Sequence, residues 1–183
     1  MPRNQGKVIW FTGMSGSGKS TLANYLYQYA KSNNINAILI DGDSIRNQYT
    51  IKIGFTYEDI KKNNLQIAKI CKDKINKYSL VIVAVISPYS KIRDDVREFL
   101  NQNYYLIYCD ASIKSLRKRD VKGLYEKADR NEINNLIGYS EGAVYEKPAN
   151  PYLKVDTNDE KNIKKNKNLM NQLLNKLFFE KNK

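Results

Sequence analysis

The sequence contains no histidine among its 183 residues. Any mechanism that needs an imidazole base or an imidazole metal ligand is therefore excluded. Cysteine is also scarce, since Cys71 and Cys109 are the only two, and they lack the spacing of a metal site. Both lie in apolar stretches, so we interpret them as small core residues in a reducing compartment and not as a disulfide or a ligand pair.

Long apolar runs are absent as well. No stretch approaches the roughly 18 apolar residues that a membrane-spanning helix needs. Residues 1–10 show neither the apolar core nor the small-residue cleavage site of a signal peptide. We therefore expect a cytoplasmic protein without a membrane partner.

Positive charge, in contrast, is plentiful, with a net charge of +12. The basic residues are spread through the chain and are densest in 158–183, where they alternate with asparagine as on the solvent face of a helix. No basic stripe interleaved with aromatic residues is seen, so we do not expect a nucleic-acid partner. A positive field of this kind also favours small anionic substrates.

Strand-like and helix-like segments alternate along the chain. This order is typical of an α/β protein in which a parallel sheet carries helices on both faces. The length fits one domain, 1–183, and the polar segment 119–150, with its tyrosines and glycines, is predicted to be a lid. The predicted strands are 7–12, 36–41, 79–87, 104–110 and 153–157, and the predicted helices are 18–30, 57–78, 92–101, 112–120 and 158–183.

The segment GMSGSGKS, 13–20, matches the phosphate-binding pattern G-x-x-x-x-G-K-[ST] at every fixed position. It follows a predicted strand and opens a predicted helix, as the mechanism requires. Backbone N–H groups of such a loop surround phosphate oxygens, and the helix N-terminus adds partial positive charge. Lys19 is expected to reach the β- and γ-phosphates, and Ser20 to bind Mg²⁺. The alternative, a glycine-rich turn without a ligand, fits this context poorly.

Two carboxylates and an arginine follow the second predicted strand in DGDSIR, 41–46. The carboxyl end of a strand is where open α/β sheets bind their ligands. One carboxylate, Asp41, is a candidate for holding Mg²⁺ through water, and the other, Asp43, for accepting a proton from an attacking hydroxyl. Arg46 is a candidate for an anionic substrate. The alternative is that Asp43 caps a helix and Arg46 lies at the surface.

Ser87 lies at the carboxyl end of the third predicted strand, just before a proline. A covalent nucleophile is conceivable at this position, but no histidine is present to activate it. A hydrogen bond to substrate is the safer interpretation.

Four motifs together, GMSGSGKST, DGDSIR, VISPYSKIRDDVR and RDVKGLYEKA, resemble the adenylylsulfate (APS) kinase family. The resemblance runs from about residue 7 to residue 157, and YEKPANPYLKVDT matches the family's closing pattern. It implies a nucleotide-kinase-like P-loop NTPase fold, often dimeric, with ATP and Mg²⁺. The implied reaction transfers the γ-phosphoryl group to the 3′-hydroxyl of a nucleotide's ribose.

The resemblance also implies roles for individual residues. Asp43 would be the base or would orient the hydroxyl, and Ser87 falls where some relatives carry a phosphoserine. Arg119, Lys122 and Gly123 would belong to a lid that excludes water. The ATP site would comprise Gly13, Met14, Ser15, Gly16, Ser17, Gly18, Lys19, Ser20, Thr21 and Arg119. The acceptor site would comprise Asp43, Arg46, Phe55, Ile60, Asn63, Ile86, Ser87, Lys122, Gly123, Leu124 and Leu136.

Departures from the family pattern fall in the acceptor site and not in the ATP motif. Ile60 stands where an acceptor-binding arginine is usual, and Leu65-Gln66 replaces an arginine pair. Leu136 replaces the phenylalanine that would enclose the purine with Phe55. Since stacking on an aromatic ring is worth roughly 1–3 kcal/mol per base, that exchange is not neutral.

One branch of the family phosphorylates cytidine diphosphoramidate, for the O-methyl phosphoramidate of capsular polysaccharide. The resemblance to this branch makes its acceptor our first expectation, and adenylyl sulfate is the alternative; a pyrimidine would also need less stacking than adenine. Two further hypotheses are a nucleotide-binding regulator without acceptor chemistry and a polynucleotide kinase or RNA-binding protein. Asp43, Arg46, Ser87 and Lys122 argue against the regulator.

Overall fold

A computed structural model describes residues 6–46 and 54–180. Its centre is a sheet of five parallel strands in the order β2-β3-β1-β4-β5. The α/β class predicted from the sequence is confirmed. The strands are β1 Lys7–Thr12, β2 Ala37–Asp41, β3 Leu80–Ala84, β4 Tyr104–Asp110 and β5 Leu153–Asp156.

Seven α-helices connect and cover the described strands. The predicted helices are all present, with ends shifted by a few residues, and two short helices, α2 and α6, were not predicted. Four of the helices are α1 Lys19–Ser32, α3 Tyr57–Lys74, α4 Ser90–Leu100 and α7 Ile163–Phe178; the others are α2 Gly42–Arg46, α5 Ile113–Arg119 and α6 Leu124–Asp129. Single 3₁₀ turns occupy Asn101–Asn103 and Glu160–Asn162.

Both faces of the sheet are buried, because neighbouring side chains of a strand point to opposite faces. In β1, Ile9 and Phe11 pack toward α1 and α7, whereas Val8 and Trp10 pack toward α3 and α4. The strands therefore read as continuous apolar runs, as expected for a parallel sheet covered on both sides.

Helix α3 begins at a capping box. Thr56 accepts a hydrogen bond from the Asp59 backbone, and the Asp59 carboxylate accepts one from the Thr56 backbone. This reciprocal pair satisfies two N–H groups that the first helical turn leaves without partners. Residues 47–53, which include part of the divergent stretch before α3, lie outside the described residues.

The order of the strands creates a topological switch point at the carboxyl end of the central strand, β1. β1 lies between β3 and β4, so the chain leaves β1 in one direction and returns to its other side later. Ligands of open α/β sheets bind at the carboxyl ends of strands at such a point. Within the described residues, no helix is long and apolar enough to cross a bilayer.

Candidate active site

The phosphate-binding loop joins β1 to α1 as predicted. Gly13 and Gly18 have φ of 150° and 86°, in the region that favours glycine. A Cβ at Gly13 would lie 2.6 Å from the Cys109 carbonyl oxygen of the neighbouring strand. Glycine is therefore required there by close packing, and at Gly18 by the left-handed turn into α1.

Lys19 is only 9% exposed, although lysine side chains are rarely buried because they carry a charge at neutral pH. Its Nζ donates a hydrogen bond to the Met14 carbonyl oxygen at 2.8 Å. Burial lowers the pKa of Lys19 to about 8, against weaker opposing effects that include the Asp43 carboxylate. The ammonium thus lies in a pocket where a phosphate would stabilise its charge.

A cavity of about 530 Å³, which we call the P-loop cleft, lies in front of this loop. Nine of the predicted ATP, metal and catalytic residues line it: Ser15, Gly16, Gly18, Lys19, Ser20, Thr21, Asp41, Asp43 and Arg119. Gly13, Met14 and Ser17 do not line it. The Met14 side chain instead packs with Leu116 and Tyr125, and Ser17 is buried. These three positions shape the loop through its backbone and packing.

The far wall of the P-loop cleft was not predicted from the sequence. It is formed by the chain after β5 and by the start of α7, and its residues are Thr157, Asp159, Glu160, Ile163 and Asn166. Lys122, predicted for the acceptor site, also lines this cleft. The sequence did offer one indication of this wall. The last strand was predicted to end at residue 157, and residues that follow the carboxyl end of a parallel strand often contact a ligand.

Asp41 and Asp43 have different structural roles. The Asp41 Oδ1 accepts hydrogen bonds from the backbone N–H of Asp43 and Ser44, at 2.9 and 3.0 Å. Asp41 thereby caps α2, so the helix-capping alternative considered for Asp43 applies to Asp41 instead. The Asp43 carboxylate forms an ion pair with Lys122 at 2.9 Å, and both side chains are exposed. A lysine of the 119–150 segment therefore neutralises Asp43.

The donor set of this cleft fits a magnesium ion bound mainly through a nucleotide. Ser20 and Asp41, the predicted metal residues, both line the P-loop cleft, and both offer the oxygen ligands that Mg²⁺ prefers. The described residues contain no cluster of three histidine, cysteine, aspartate or glutamate side chains. Mg²⁺ usually keeps several waters and binds one or two protein groups plus substrate phosphates, so Ser20 and Asp41 would be sufficient protein ligands.

A second cavity of about 90 Å³, which we call the side cleft, lies between α2, α3 and the end of β3. Arg46 stacks on the Phe55 ring, with 4.2 Å from guanidinium carbon to ring centre. Ile60 is 3% exposed and packs with Ile92 and Ile137. Seven of the predicted acceptor residues line this cleft: Asp43, Arg46, Phe55, Ile60, Asn63, Ile86 and Ser87.

Four predicted acceptor residues do not line the side cleft. Leu136 is buried beside Leu116 and Tyr125, and Leu124 packs against the same group. Gly123 caps α6 with φ of 63°, and Lys122 faces the P-loop cleft. Ile137 lines the side cleft in place of Leu136, because neighbouring side chains of an irregular segment point in different directions. Alignment to the family pattern alone did not indicate this change.

The 119–150 segment contacts the phosphate-binding loop directly. The Tyr125 hydroxyl donates a hydrogen bond to the Ser15 carbonyl oxygen at 2.9 Å, and Tyr125 is 2% exposed. Arg119 lines the cleft, and its Nη2 is buried without a hydrogen-bond partner among the described residues. A buried guanidinium nitrogen of this kind is suited to an anionic ligand.

Ser87 is 1% exposed, and its hydroxyl already has partners. It accepts a hydrogen bond from Trp10 Nε1 at 3.0 Å and donates one to Asn64. A buried hydroxyl bonded on both sides is poorly placed for the catalytic role predicted for Ser87, which therefore finds no support in the geometry. Asn64 was missed by the sequence analysis, because a buried asparagine in a helix has no distinctive spacing.

The site is thus a phosphate-binding loop in a large cleft, with a smaller cleft that shares Asp43, on a parallel sheet with helices on both faces. These features define the class of P-loop phosphotransferases.

A family model described as adenylylsulphate kinase matches residues 5–156. The adenylyl-sulfate kinase of Prochlorococcus marinus is 40% identical over 151 residues, which cover 82% of this chain and 74% of that protein. The probable adenylyl-sulfate kinase of Halalkalibacterium halodurans has the same identity and coverage. The chain therefore belongs to the adenylylsulphate kinase family and is an ATP-dependent kinase that phosphorylates a hydroxyl group.

Solved structures agree with this assignment. The Mycobacterium tuberculosis APS kinase CysC, in complex with AMPPNP and APS, aligns with a TM-score of 0.84 at 28% identity, over 94% of this chain and 98% of that one. A gluconokinase from Sinorhizobium meliloti aligns with a TM-score of 0.60 at 16% identity, over 97% and 98% of the two chains. At that identity it shows a shared P-loop kinase fold alone.

Proposed function

We propose that this chain transfers the γ-phosphoryl group of MgATP to the 3′-hydroxyl of a nucleotide whose 5′-phosphate carries a second acidic group. One observation carries the proposal: Asp43 lines both the P-loop cleft and the side cleft. A carboxylate at this junction can reach a hydroxyl held in one cleft while the triphosphate lies in the other.

In the proposed reaction, the 3′-oxygen forms a bond to the γ-phosphorus while the bond from that phosphorus to the β–γ bridging oxygen breaks. The hydroxyl proton passes to the Asp43 carboxylate, and ADP leaves. Lys19 and Arg119 face the phosphates and stabilise their charge. Bound Mg²⁺, held through Ser20 and through water on Asp41, would neutralise phosphate charge.

Lys122 must release Asp43 before that carboxylate accepts a proton. The negative charge of a bound triphosphate offers Lys122 a competing partner in the cleft that it already lines. Nucleotide binding would then free the base and recruit a cation to the phosphates in one movement. This exchange requires no change in the sheet.

The comparisons support adenylyl sulfate as the acceptor, because the two relatives described above, each 40% identical to this chain, are named as adenylyl-sulfate kinases. The cytidine diphosphoramidate expected from the sequence gains no support from these comparisons. It stays a second candidate on one observation: among the described residues, Phe55 is the sole aromatic side chain lining the side cleft. One ring provides one stacking face, which suits a smaller base.

The test is ADP release by the purified chain with ATP and Mg²⁺, with each acceptor supplied separately. Turnover of adenylyl sulfate alone assigns sulfate activation, and turnover of the cytidine compound alone assigns a changed acceptor. Turnover of neither would overturn the proposal and favour a nucleotide-binding regulator. The homodimer that the resemblance implies also stays a prediction, to be measured by light scattering.

A further inference from the structure

A buried hydrogen-bond network lies beneath the side cleft. Trp10 of β1 donates to the Ser87 hydroxyl at 3.0 Å, and that hydroxyl donates to the Asn64 side-chain oxygen. The Asn64 amide nitrogen in turn donates to the Ile60 carbonyl oxygen at 2.8 Å. Trp10, Ser87 and Asn64 are each at most 2% exposed. The network therefore joins β1, the segment after β3, and α3.

The backbone of Ser87 is held as firmly as its hydroxyl. Its carbonyl oxygen accepts hydrogen bonds from the Arg93 guanidinium at 2.7 Å and from the Thr12 hydroxyl at 3.3 Å. Its φ is 45°, a left-handed conformation that is uncommon for residues other than glycine. Such a conformation persists where surrounding contacts impose it. Ser87 thus serves as a fixed anchor for α3.

Asn63, next to Asn64 in α3, has an unsatisfied polar atom that indicates a ligand-binding role. It lines the side cleft and is 3% exposed, and its Oδ1 is buried without a hydrogen-bond partner among the described residues. A buried polar atom left without a partner is costly unless a ligand or water satisfies it. Because successive helix residues are separated by about 100°, the hydrogen bonds of Asn64 fix the direction in which Asn63 projects.

We propose that Asn64 is a positioning residue of the acceptor site. Through Ser87 and Trp10 it holds α3 against the strand ends, so that Asn63 faces the acceptor nucleotide. The Ser87 hydroxyl acts in this network and not as a phosphorylated intermediate. This inference rests on the proposed function, in which the side cleft binds the acceptor.

The kinetic test uses Asn64→Leu, which keeps the size of the side chain and removes both hydrogen bonds. We expect the acceptor KM to rise about tenfold while the ATP KM stays within about twofold. The matched control is Asn33→Leu, because the Asn33 amide also donates to the carbonyl oxygen four residues before it, that of Tyr29, at 2.8 Å, and Asn33 lines neither cleft. That control should leave the acceptor KM unchanged.

A double-mutant cycle with Ser87→Ala separates positioning from chemistry. Ser87→Ala alone should raise the acceptor KM by a similar factor, and the double variant should be no worse than either single variant, because both break one network. Loss of turnover by a thousandfold or more in Ser87→Ala alone would show a chemical role for Ser87 and overturn the proposal. Equal rises of both KM values in Asn64→Leu would also overturn it.

A spectroscopic readout makes the network testable without turnover. Trp10 is the chain's single tryptophan, so its indole N–H gives one resonance in a ¹⁵N spectrum. That resonance should shift in Asn64→Leu and in Ser87→Ala and should stay in place in Asn33→Leu. An unchanged resonance in the first two variants would refute the network, whether or not the enzyme turns over either acceptor. Absence of turnover with both acceptors, in contrast, would refute only the proposed function.

Discussion

Asp43, which we propose accepts the hydroxyl proton, is paired with Lys122 at 2.9 Å. Its neighbour two residues back, Asp41, uses the same kind of carboxylate to cap a short helix. The difference between the two side chains lies in their partners, since backbone N–H groups hold Asp41 and an exposed ammonium holds Asp43. A lysine can leave with a phosphate, whereas a helix N-terminus cannot.

We expect Asp43→Asn to lower kcat by about 10²–10⁴, because the amide cannot accept the hydroxyl proton. The ATP KM should change by less than about threefold, since the ammonium of Lys19 and the loop backbone are untouched. Steady-state kinetics with each substrate varied in turn measures both values. Asp95→Asn, on the surface of α4 and paired with Lys91, is the matched control. Retained kcat in Asp43→Asn would remove this residue from the mechanism.

The depressed pKa of Lys19, about 8, predicts a pH dependence of ATP binding. Above that pH the free protein loses the ammonium charge, while bound phosphates favour the protonated form. ATP affinity should therefore weaken as pH rises from 8 to 9, by up to about tenfold per pH unit. Calorimetric titration at pH 7, 8 and 9 measures this. Lys19→Ala should bind weakly with a flat profile, and an equally flat wild-type profile would contradict the assignment.

At the scale of elements, the 119–150 segment acts on the phosphate-binding loop through α6. Tyr125 of α6 bonds the Ser15 carbonyl, and Asp120 accepts hydrogen bonds from the backbone N–H groups of Tyr125 and Glu126. Asp120 therefore stabilises the N-terminus of α6, whereas Tyr125 connects α6 to the phosphate-binding loop. Movement of this segment would be transmitted to the backbone that surrounds the phosphates.

Tyr125→Phe removes that one hydrogen bond and keeps the ring in its buried place. We expect the ATP KM to rise several-fold and the free energy of unfolding to fall by about 1 kcal/mol, because the Ser15 carbonyl loses a partner. Kinetics and denaturant unfolding measure the two effects. Tyr139→Phe in the same segment is the control, since its hydroxyl bonds the exposed Asp129. Identical ATP KM values in both variants would refute the contact's role.

The two helices that the sequence analysis missed are both short. Five or six residues are too few to show a helical period, and isolated helices of that length are unstable in water. The Asp41 cap holds α2, and packing of Tyr125 holds α6. The long helices were predicted because their apolar residues recur over several turns, and they bury them against the sheet.

On the scale of the whole molecule, the P-loop cleft is assembled from segments that are far apart along the chain. Its walls come from the loop after β1, from α2, from the 119–150 segment and from the start of α7. An unfolded chain cannot present these groups together, so a ligand of this cleft binds only the folded state. Ligand binding must then raise the apparent stability of the protein.

A non-hydrolysable ATP analogue with Mg²⁺, at about 100 times its Kd, should raise the melting temperature by roughly 5–10 °C. The estimate combines about 2.7 kcal/mol of binding linkage with a shift of about 2–4 °C per kcal/mol for a chain of this size. Differential scanning calorimetry measures the shift. Lys19→Ala should show a much smaller one at the same concentration. No shift in the wild-type chain would mean that the cleft does not bind ATP.

The parallel sheet, the phosphate-binding loop and the family could all be predicted from the sequence, although the order of the strands could not. These features have local signals: the strands lie in short apolar runs bounded by polar or turn residues, and the loop pattern is continuous from Gly13 to Ser20. The divergent positions, such as Ile60, were also visible by comparison with the family pattern.

Which side chains contact one another could be read from the folded chain alone. The fold placed Ile137 and not Leu136 in the side cleft, paired Asp43 with Lys122, and bonded Ser87 to Asn64 and Trp10. These contacts join residues up to 79 positions apart, such as Asp43 and Lys122. Residue spacing along the chain cannot predict these contacts. The direction of a side chain at the end of a strand or in a loop is set by packing between elements and not by the local sequence.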